Sequence, residues 1–382
     1  MQTGPGVHPT FRLPTRTVIA PGSLAKLPRL IENVPAKRPL LVFDAGLAGT
    51  PWPRRVEAFL RRHFESVNSF DGVEPNPRTV TVDREAENAR SAGIDLVVAI
   101  GGGSVLDAGK ALSMLVTNEG SAREFEGRNR FTNPPTPFVA VPTTCGTGSE
   151  VTWVSVLSDP ESKRKISIKG DGMFPTIAVV DADLIETLPP PLIAQTGLDA
   201  LTHAMEAFVS RRANPASDAL AAEAVRLLLA NLALCVRNPE EARLREAVMR
   251  ASTLAGMAFG NADVGAVHCL SESLGGLYDH PHGLLNALLL VPVFEYQFSE
   301  VHPRLDDLAA RALFLSADAL SLLDAVRSLV DALDLPGFDT LNVPADASSE
   351  IAQMAVANNS NASNPRKMVA SDYEAILKLL AR

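Results

Sequence analysis

Residues 95–103 read DLVVAIGGG: aliphatic and β-branched side chains with no polar break, then three glycines. A strand with one wet face alternates polar and apolar residues, whereas one covered on both faces does not. The run therefore predicts an inner strand of a parallel sheet with helices on both sides. RTVIA (16–20), PLLVFDAG (39–46), PFVAVPTT (137–144) and TIAVVDADL (176–184) share this character, with helical stretches between them. Such alternation predicts βαβ units in an α/β domain.

Beyond LPPPLIAQTGLDAL the strand signals nearly vanish, and 217–236, 241–259, 305–333 and 371–381 carry helical periodicity. At 382 residues the chain exceeds one ordinary core, so two domains are expected. The boundary is placed near residue 190, where Pro189-Pro190-Pro191 ends one domain and opens a helix. The fold class is α/β plus all-α: a parallel-sheet nucleotide-binding domain over 1–190 and an all-helical domain over 191–382. The chain shows no internal repeat and no low-complexity segment.

Composition narrows the function classes. A net charge of −9 argues against nucleic acid as a partner, which calls for a basic stripe. Arg54-Arg55, Arg61-Arg62 and Lys163-Arg164-Lys165 are isolated clusters and read as solvated surface. The longest apolar run, LLNALLLVPVF (284–294), is shorter than the roughly 20 residues of a membrane span and contains Asn286 and Pro292. The opening MQTGPGVHPTFRLP has no charged-then-apolar signal pattern. Cys145, Cys235 and Cys269 have no metal-type spacing and read as reduced thiols of a cytoplasmic protein.

The glycines of DLVVAIGGGSVLDAGK (95–110) lie between strand and helix. Ser104 is placed to cap that helix, with Asp107 completing a capping box. Glycines admit a pyrophosphate close to the backbone, and free helix N–H groups favour its charge. The Rossmann fingerprint fails at Leu106 and the Walker A pattern at Ala111, so the turn is a phosphate cradle of another type or only a tight turn. VPTTCGTGSEVT (141–152) follows a second buried strand, and its Thr143, Thr144 and Thr147 suit a nucleotide's phosphate and ribose. Two such turns after parallel strands form a crevice at the strands' carboxyl ends.

GLDALTHAMEAF (197–208) sets Asp199 and His203 one helical turn apart on one face, as an ion pair or as half of a metal site. His8, His63 and His302 sit in polar surroundings and read as surface residues. His268, His280 and His282 fall within HCLSESLGGLYDHPHG (268–283). There His268 precedes Glu272 by one turn, Gly275-Gly276 loosens the helix, and the DHPHG turn brings His280 or His282 back toward it. Three imidazoles and one carboxylate suit Fe²⁺ or Zn²⁺.

GGGSVLDAGK, VPTTCGTGSEVT, GLDALTHAMEAF and HCLSESLGGLYDHPHGLLNALLL resemble, in order and spacing, the iron-containing (group III) alcohol dehydrogenases. GVEPNP (72–77) and NPRKMVASDYEAIL (364–377) extend the likeness over nearly the whole chain. The resemblance implies a dehydroquinate-synthase-like fold with NAD(P) and a divalent metal between its domains. It assigns Asp199, His203, His268 and His282 as ligands of Fe²⁺ or Zn²⁺. Asp44 matches an acidic residue beside the adenosine ribose, where a carboxylate favours NAD over NADP. Gly102, Gly103, Ser104 and Asp107 match the pyrophosphate turn. Thr143, Thr144, Thr147 and Thr152 match the second nucleotide loop, and Lys165 a lysine near the nicotinamide ribose.

The implied reaction interconverts a small alcohol and an aldehyde or ketone, the substrate oxygen on the metal and hydride passing to the nicotinamide. A homo-oligomer, at least a dimer, is expected. One departure concerns proton transfer: many relatives carry a histidine where this chain has Glu272, so Glu272 and, second, His280 are the candidates. A dehydroquinate-synthase or glycerol-phosphate-dehydrogenase relative is the alternative of the same fold; its anionic substrates call for a basic cluster, absent from 197–210 and 268–286. A non-catalytic nucleotide sensor is the third reading.

Overall fold

In the computed structural model, which describes residues 10–313 and 316–380, each of the five apolar runs contains a strand of one sheet. His8 lies outside the described residues. The strands are β1 (Arg16–Ile19), β2 (Pro39–Val42), β3 (Asn68–Phe70), β4 (Leu96–Gly101), β5 (Gly127–Arg128), β6 (Phe138–Pro142), β7 (Val154–Asp159), β8 (Arg164–Lys169) and β9 (Ile177–Val180). Six of them form a parallel sheet in the order β1-β9-β6-β4-β2-β3. Every residue of β2, β4, β6 and β9 is buried, as continuous apolar runs require.

The helices of this half are α1 (Leu27–Ile31), α2 (Ala45–Ala48), α3 (Trp52–Leu60), α4 (Thr79–Ser91) and α5 (Gly103–Thr117). Their apolar faces cover the sheet with two separate clusters, one holding Leu27, Val56 and Leu60, the other Val82, Leu106 and Leu112. Chain order reverses beside β2, whose neighbours are β3 and β4. The crevice outside such a reversal, at the carboxyl ends of the strands, is where open α/β sheets take ligands.

A second sheet was not foreseen. β7 and β8 form an antiparallel hairpin with β5 added parallel to β8. Residues alternate buried and half-buried along β7, a one-sided pattern that no apolar run announces.

From Pro190 the chain is helical: α6 (Pro190–Val209), α7 (Pro215–Arg237), α8 (Ala242–Ala262), α9 (Ala266–Tyr278), α10 (His282–Tyr296), α11 (Phe298–Ala312), α12 (Ala319–Ala332), α13 (Ser348–Ala357) and α14 (Ala370–Leu380). The expected single helix over 305–333 is divided between α11 and α12. Asp318, in extended backbone, starts the second by accepting from Ser321 N–H at 2.8 Å. Among the described residues α7, rather than 284–294, is the helix long and apolar enough to cross a membrane. Here its Ala221, Val225, Leu228 and Leu232 are buried in the helical core, and it packs on α6 and α8. The approach to α6 is close: a Cβ on Gly197 would stand 2.3 Å from Leu232 Cδ1.

Candidate active site

A cleft of about 1950 Å³ runs between the carboxyl edge of the parallel sheet and the helices α6, α8, α9 and α13. Asp44, the two glycine-containing turns and the Asp199–His282 cluster all line it, so residues far apart in sequence share one cavity.

On the sheet side, β4 leads into α5 through Gly102, which is the helix N-cap in extended backbone. Ser104 is therefore not the cap, and the expected capping box does not form. Among the described residues no side chain caps α5, so its first-turn N–H groups and the positive end of its dipole face the cleft. Ser104 Oγ accepts from Asn76 N–H at 3.3 Å. Asp107 turns away from the helix end: Oδ1 accepts from Ser149 Oγ at 2.6 Å and Oδ2 from Val156 N–H at 2.9 Å. Its carboxylate ties the first turn to the second and to β7.

The glycines have a steric reason as well as an electrostatic one. A Cβ on Gly103 would stand 2.5 Å from Thr147 Cγ2, so the two turns interlock. Thr143 N–H bonds Gly101 O at 2.9 Å, while Thr152 Oγ1 accepts from the buried Lys110 ammonium at 3.2 Å. Gly148, at φ +58°, lies so near α8 that a Cβ would stand 2.4 Å from Gly256 Cα. Glu150 accepts from Thr253 Oγ1 at 2.7 Å across the same seam. Burial pushes its carboxyl pKa up despite that bond and the Lys110 charge.

Asp44 starts α2, with Oδ1 accepting Leu47 N–H at 3.0 Å. Lys165 leaves its basic cluster and enters the cleft from β8, Nζ donating to Asn76 Oδ1 at 2.9 Å. Its pKa is lowered by burial, against the charges of Glu272, Asp107, Asp279 and Asp199.

On the helical side, α6 supplies Asp199 and His203, α9 supplies His268, and His282 is the first residue of α10. One ligand-type atom from each lies within 4.8 Å of all the others. Asp199 Oδ1 stands 3.8 Å from His203 Nδ1, 4.0 Å from His268 Nε2 and 3.7 Å from His282 Nε2. Phe259 stacks on His203 with centroids 4.2 Å apart.

Desolvation lowers the His203 pKa to about 4 and that of His282 to about 3, in both cases against the pull of Asp199. Both imidazoles are thus neutral near pH 7, with lone pairs to offer. Burial works to raise the Asp199 carboxyl, and the histidines outweigh it, leaving the pKa lowered. His203 Nδ1 is buried with no hydrogen-bond partner among the described residues. Neutral imidazoles, an ionised carboxylate and an unpaired buried nitrogen fit a borderline dication.

The two proton-carrying candidates separate. Glu272 lines the cleft, Oε2 accepting from Asn358 Nδ2 at 2.6 Å. His280 is not among the lining residues; its Nε2 lies 2.9 Å from Leu341 O, a bond that occupies the ring away from the cluster. Arg211 and Arg212, just beyond α6, also reach the cleft wall, and Arg212 pairs with Asp263 at 3.1 Å.

Four further polar residues meet this machinery without having been singled out. Asn76 joins Ser104, Lys165 and Asp279, and Asn358 holds Glu272. Asn286 donates to Asp199 Oδ1 at 2.6 Å, and Glu206 contacts His268. Helical spacing gave a signal for two of them: Asn286 follows His282 by one turn, and Glu206 follows His203 by nearly one.

Two family models divide the chain between them. One described as iron-containing alcohol dehydrogenase matches residues 14–182, and one described as Fe-containing alcohol dehydrogenase family, C-terminal, matches 193–381. The chain is 37% identical over 367 residues to 1,3-propanediol dehydrogenase of Citrobacter freundii, covering 94% of this chain and 95% of that one. A crystal structure of 1,3-propanediol oxidoreductase superposes with a TM-score of 0.93 at 34% identity, over 98% of this chain and 100% of the other. Sulfoacetaldehyde reductase of Bifidobacterium kashiwanohense, solved in complex with NAD⁺, superposes with a TM-score of 0.88 at 27% identity, over 98% and 99%.

Proposed function

Because this chain belongs to the iron-containing alcohol dehydrogenase family, a family of oxidoreductases, we propose that it is an NAD(H)-dependent, Fe²⁺- or Zn²⁺-dependent alcohol dehydrogenase. It interconverts a small alcohol with an aldehyde or ketone. The observation that carries this reading is the convergence of Asp199, His203, His268 and His282 within 4.8 Å, in the same cleft as the uncapped end of α5. When bound, the dication supplies Lewis acidity toward a substrate oxygen and the nicotinamide supplies the hydride acceptor.

The chain's own residues divide the remaining work. Gly102, Gly103 and Ser104 present N–H groups and the helix dipole to a pyrophosphate, and Asp107 fixes the second turn beside them. Thr143, Thr144 and Thr147 offer hydroxyls along the nucleotide, and Thr152 and Lys110 brace that loop from beneath. Asp44 accepts the hydrogen bond of the ribose 2′-hydroxyl and selects NAD over NADP. Lys165, steered by Asn76, serves the nicotinamide ribose.

Glu272, oriented by Asn358, receives the proton that an alcohol gives up, directly or through a water. His280, turned toward Leu341, is the lesser candidate for that task. The sheet half to about residue 190 carries the nucleotide and the helical half carries the metal, so each half leaves one reactant short of the other. The packing of α6, α9 and α10 leaves Asp199, His203 and His268 almost wholly buried, while His282 opens to the cleft from which substrate would enter.

NAD use is supported by the NAD⁺ found in the Bifidobacterium relative, and the metal by the donor set. The test is the chain stripped of metal, then reloaded with Fe²⁺ or Zn²⁺. It is assayed for NADH formation on short alcohols and for NADH consumption on aldehydes, semialdehydes and α-keto acids. Turnover that needs metal supports the proposal; undiminished turnover in fully stripped protein refutes it.

A further inference from the structure

Glu206 lies on α6, on the turn after His203, and is 2% exposed. Its two oxygens have different partners. Oε1 accepts Val267 N–H at 2.7 Å, in the first turn of α9, and Oε2 stands 2.5 Å from His268 Nδ1. Among the described residues no lysine or arginine lies within 4.0 Å of this carboxylate, and His268 is its one ion-pair neighbour. A buried carboxylate without a cation is costly unless something nearby supplies the missing positive charge.

The geometry fixes which ring nitrogen is which. Facing a carboxylate oxygen at 2.5 Å, Nδ1 is placed to donate, and Nε2 faces the Asn286 amino group at 3.2 Å, a donor that calls for the lone pair on Nε2. Nε2 is the atom turned toward Asp199 Oδ1, at 4.0 Å. We propose that Glu206 is a positioning residue of the metal centre, holding His268 in the tautomer that offers Nε2 to the ion and supplying the second negative charge that balances it. Asp199 and Glu206 then set two negative charges against the two of the dication, Asp199 facing His268 Nε2 and Glu206 facing Nδ1. Carboxylates behind metal-bound histidines act this way elsewhere, and their loss costs about 10–100-fold in affinity or activity. The inference rests on the metal-centre reading above.

A purely structural role for Glu206 would be to accept Val267 N–H at the start of α9. Glu206→Gln separates the two roles. The Gln carbonyl still accepts Val267 N–H, so its amino group must face Nδ1. An amino group there is a donor, which draws the lone pair to Nδ1 and puts the hydrogen on Nε2, the wrong nitrogen for the ion.

The full-length parent and Glu206→Gln are equilibrated in chelator-buffered Zn²⁺, with NAD binding measured alongside as a check on the fold. The expected result is Zn²⁺ affinity lower by about 10–100-fold with NAD affinity unchanged. Imidazole ¹⁵N spectra should show the His268 proton moving from Nδ1 to Nε2. Parental Zn²⁺ affinity and an unmoved proton overturn the inference. If the Gln variant does not fold, Glu206→Asp keeps the charge but withdraws it from Nδ1; it too must bind Zn²⁺ more weakly, and parental affinity there overturns the inference equally. A parent whose Zn²⁺ affinity is unaffected by His268→Ala overturns the metal-centre reading itself, which is a different result from a Glu206→Gln variant that binds like a competent parent.

Discussion

Asp44 caps α2 with one oxygen and, on the proposed reading, meets the ribose with the other, and substitution can part the two. Oδ1 caps α2 through Leu47 N–H at 3.0 Å, and among the described residues Oδ2 has no hydrogen-bond partner. Asn keeps a capping oxygen and removes the charge; Gly removes both and costs a helix start only a few tenths of a kcal/mol, against about 1 for Ala. Asp44→Asn should therefore leave the unfolding midpoint close to the parent's.

Its effect belongs to the cofactor. A hydrogen bond from a ribose hydroxyl to a carboxylate is worth about 1.5–3 kcal/mol, so NAD should bind roughly 10–100-fold more weakly without the charge. The same change removes a like-charge repulsion toward a 2′-phosphate. At about 4 Å and an effective dielectric near 20, that repulsion is up to about 4 kcal/mol per unit charge before salt screening. NADP should gain about tenfold or more, moving the NADP/NAD preference by about 10²–10³. Fluorescence titration with NADH and NADPH at fixed ionic strength reads both affinities. A parent that already prefers NADPH, or an Asn variant with the parental ratio, refutes the placement of Asp44 at the ribose.

Three further outcomes are expected. His268→Ala or His282→Ala should lose bound metal and turnover while NADH still binds, and metal analysis showing a full complement in either would refute the ligand set. Glu272→Gln preserves the Asn358 contact in shape but removes the base; its rate should fall by about 10²–10⁴ with metal retained, and a parental rate and pH profile would leave Glu272 without a role in proton transfer. In metal-free protein the buried neutral His203 and His282 oppose acid. With unfolded values near 6.5 and folded values of about 4 and 3, the unfolded chain binds more protons between these limits, so stability falls as pH drops below about 6.5. His268, raised through Glu206 and Asp199 against its burial, acts in the opposite sense, and its contribution is lost as pH rises through its folded value. Each depressed histidine costs up to about 1.4 kcal/mol per pH unit in that window, and urea midpoints that stay flat from pH 7 to pH 5 would contradict the burial.

What the sequence discloses follows from how locally each feature is encoded. Val97-Val98-Ala99-Ile100 discloses its strand because burial on two faces leaves only apolar residues, and the proline triplet discloses where α6 begins. The four clustered residues are legible in part: one turn of helix joins Asp199 to His203 and a short motif contains His268, His280 and His282, but the choice of His282 over His280 comes from the family resemblance and not from the motif. The β7–β8 hairpin is not legible: SVLSD and RKISI mix polar and apolar residues because one face is only partly covered. Asp107 misleads for a related reason. Three residues after a serine it imitates a capping box, and only the docking of the second turn, distant in sequence, gives its carboxylate Ser149 and Val156 instead. Glu206 hides in the same way, because its partners Val267 and His268 lie on another helix.

The seam between Gly148 and Gly256 bears on the order in which the protein matures. Synthesis delivers the chain from its amino end, and earlier domains fold first. All six strands of the parallel sheet precede Asp199 in the chain and so leave the ribosome before it. The second nucleotide turn cannot take its final shape at that stage, because the backbone it rests against belongs to α8 and its Glu150 awaits Thr253. His282 arrives later still. A nascent chain therefore has its sheet strands first, the backbone that seats Gly148 second and the full Asp199–His282 cluster later still, so that on the proposed reading the residues for a dication come together only after those for the nucleotide.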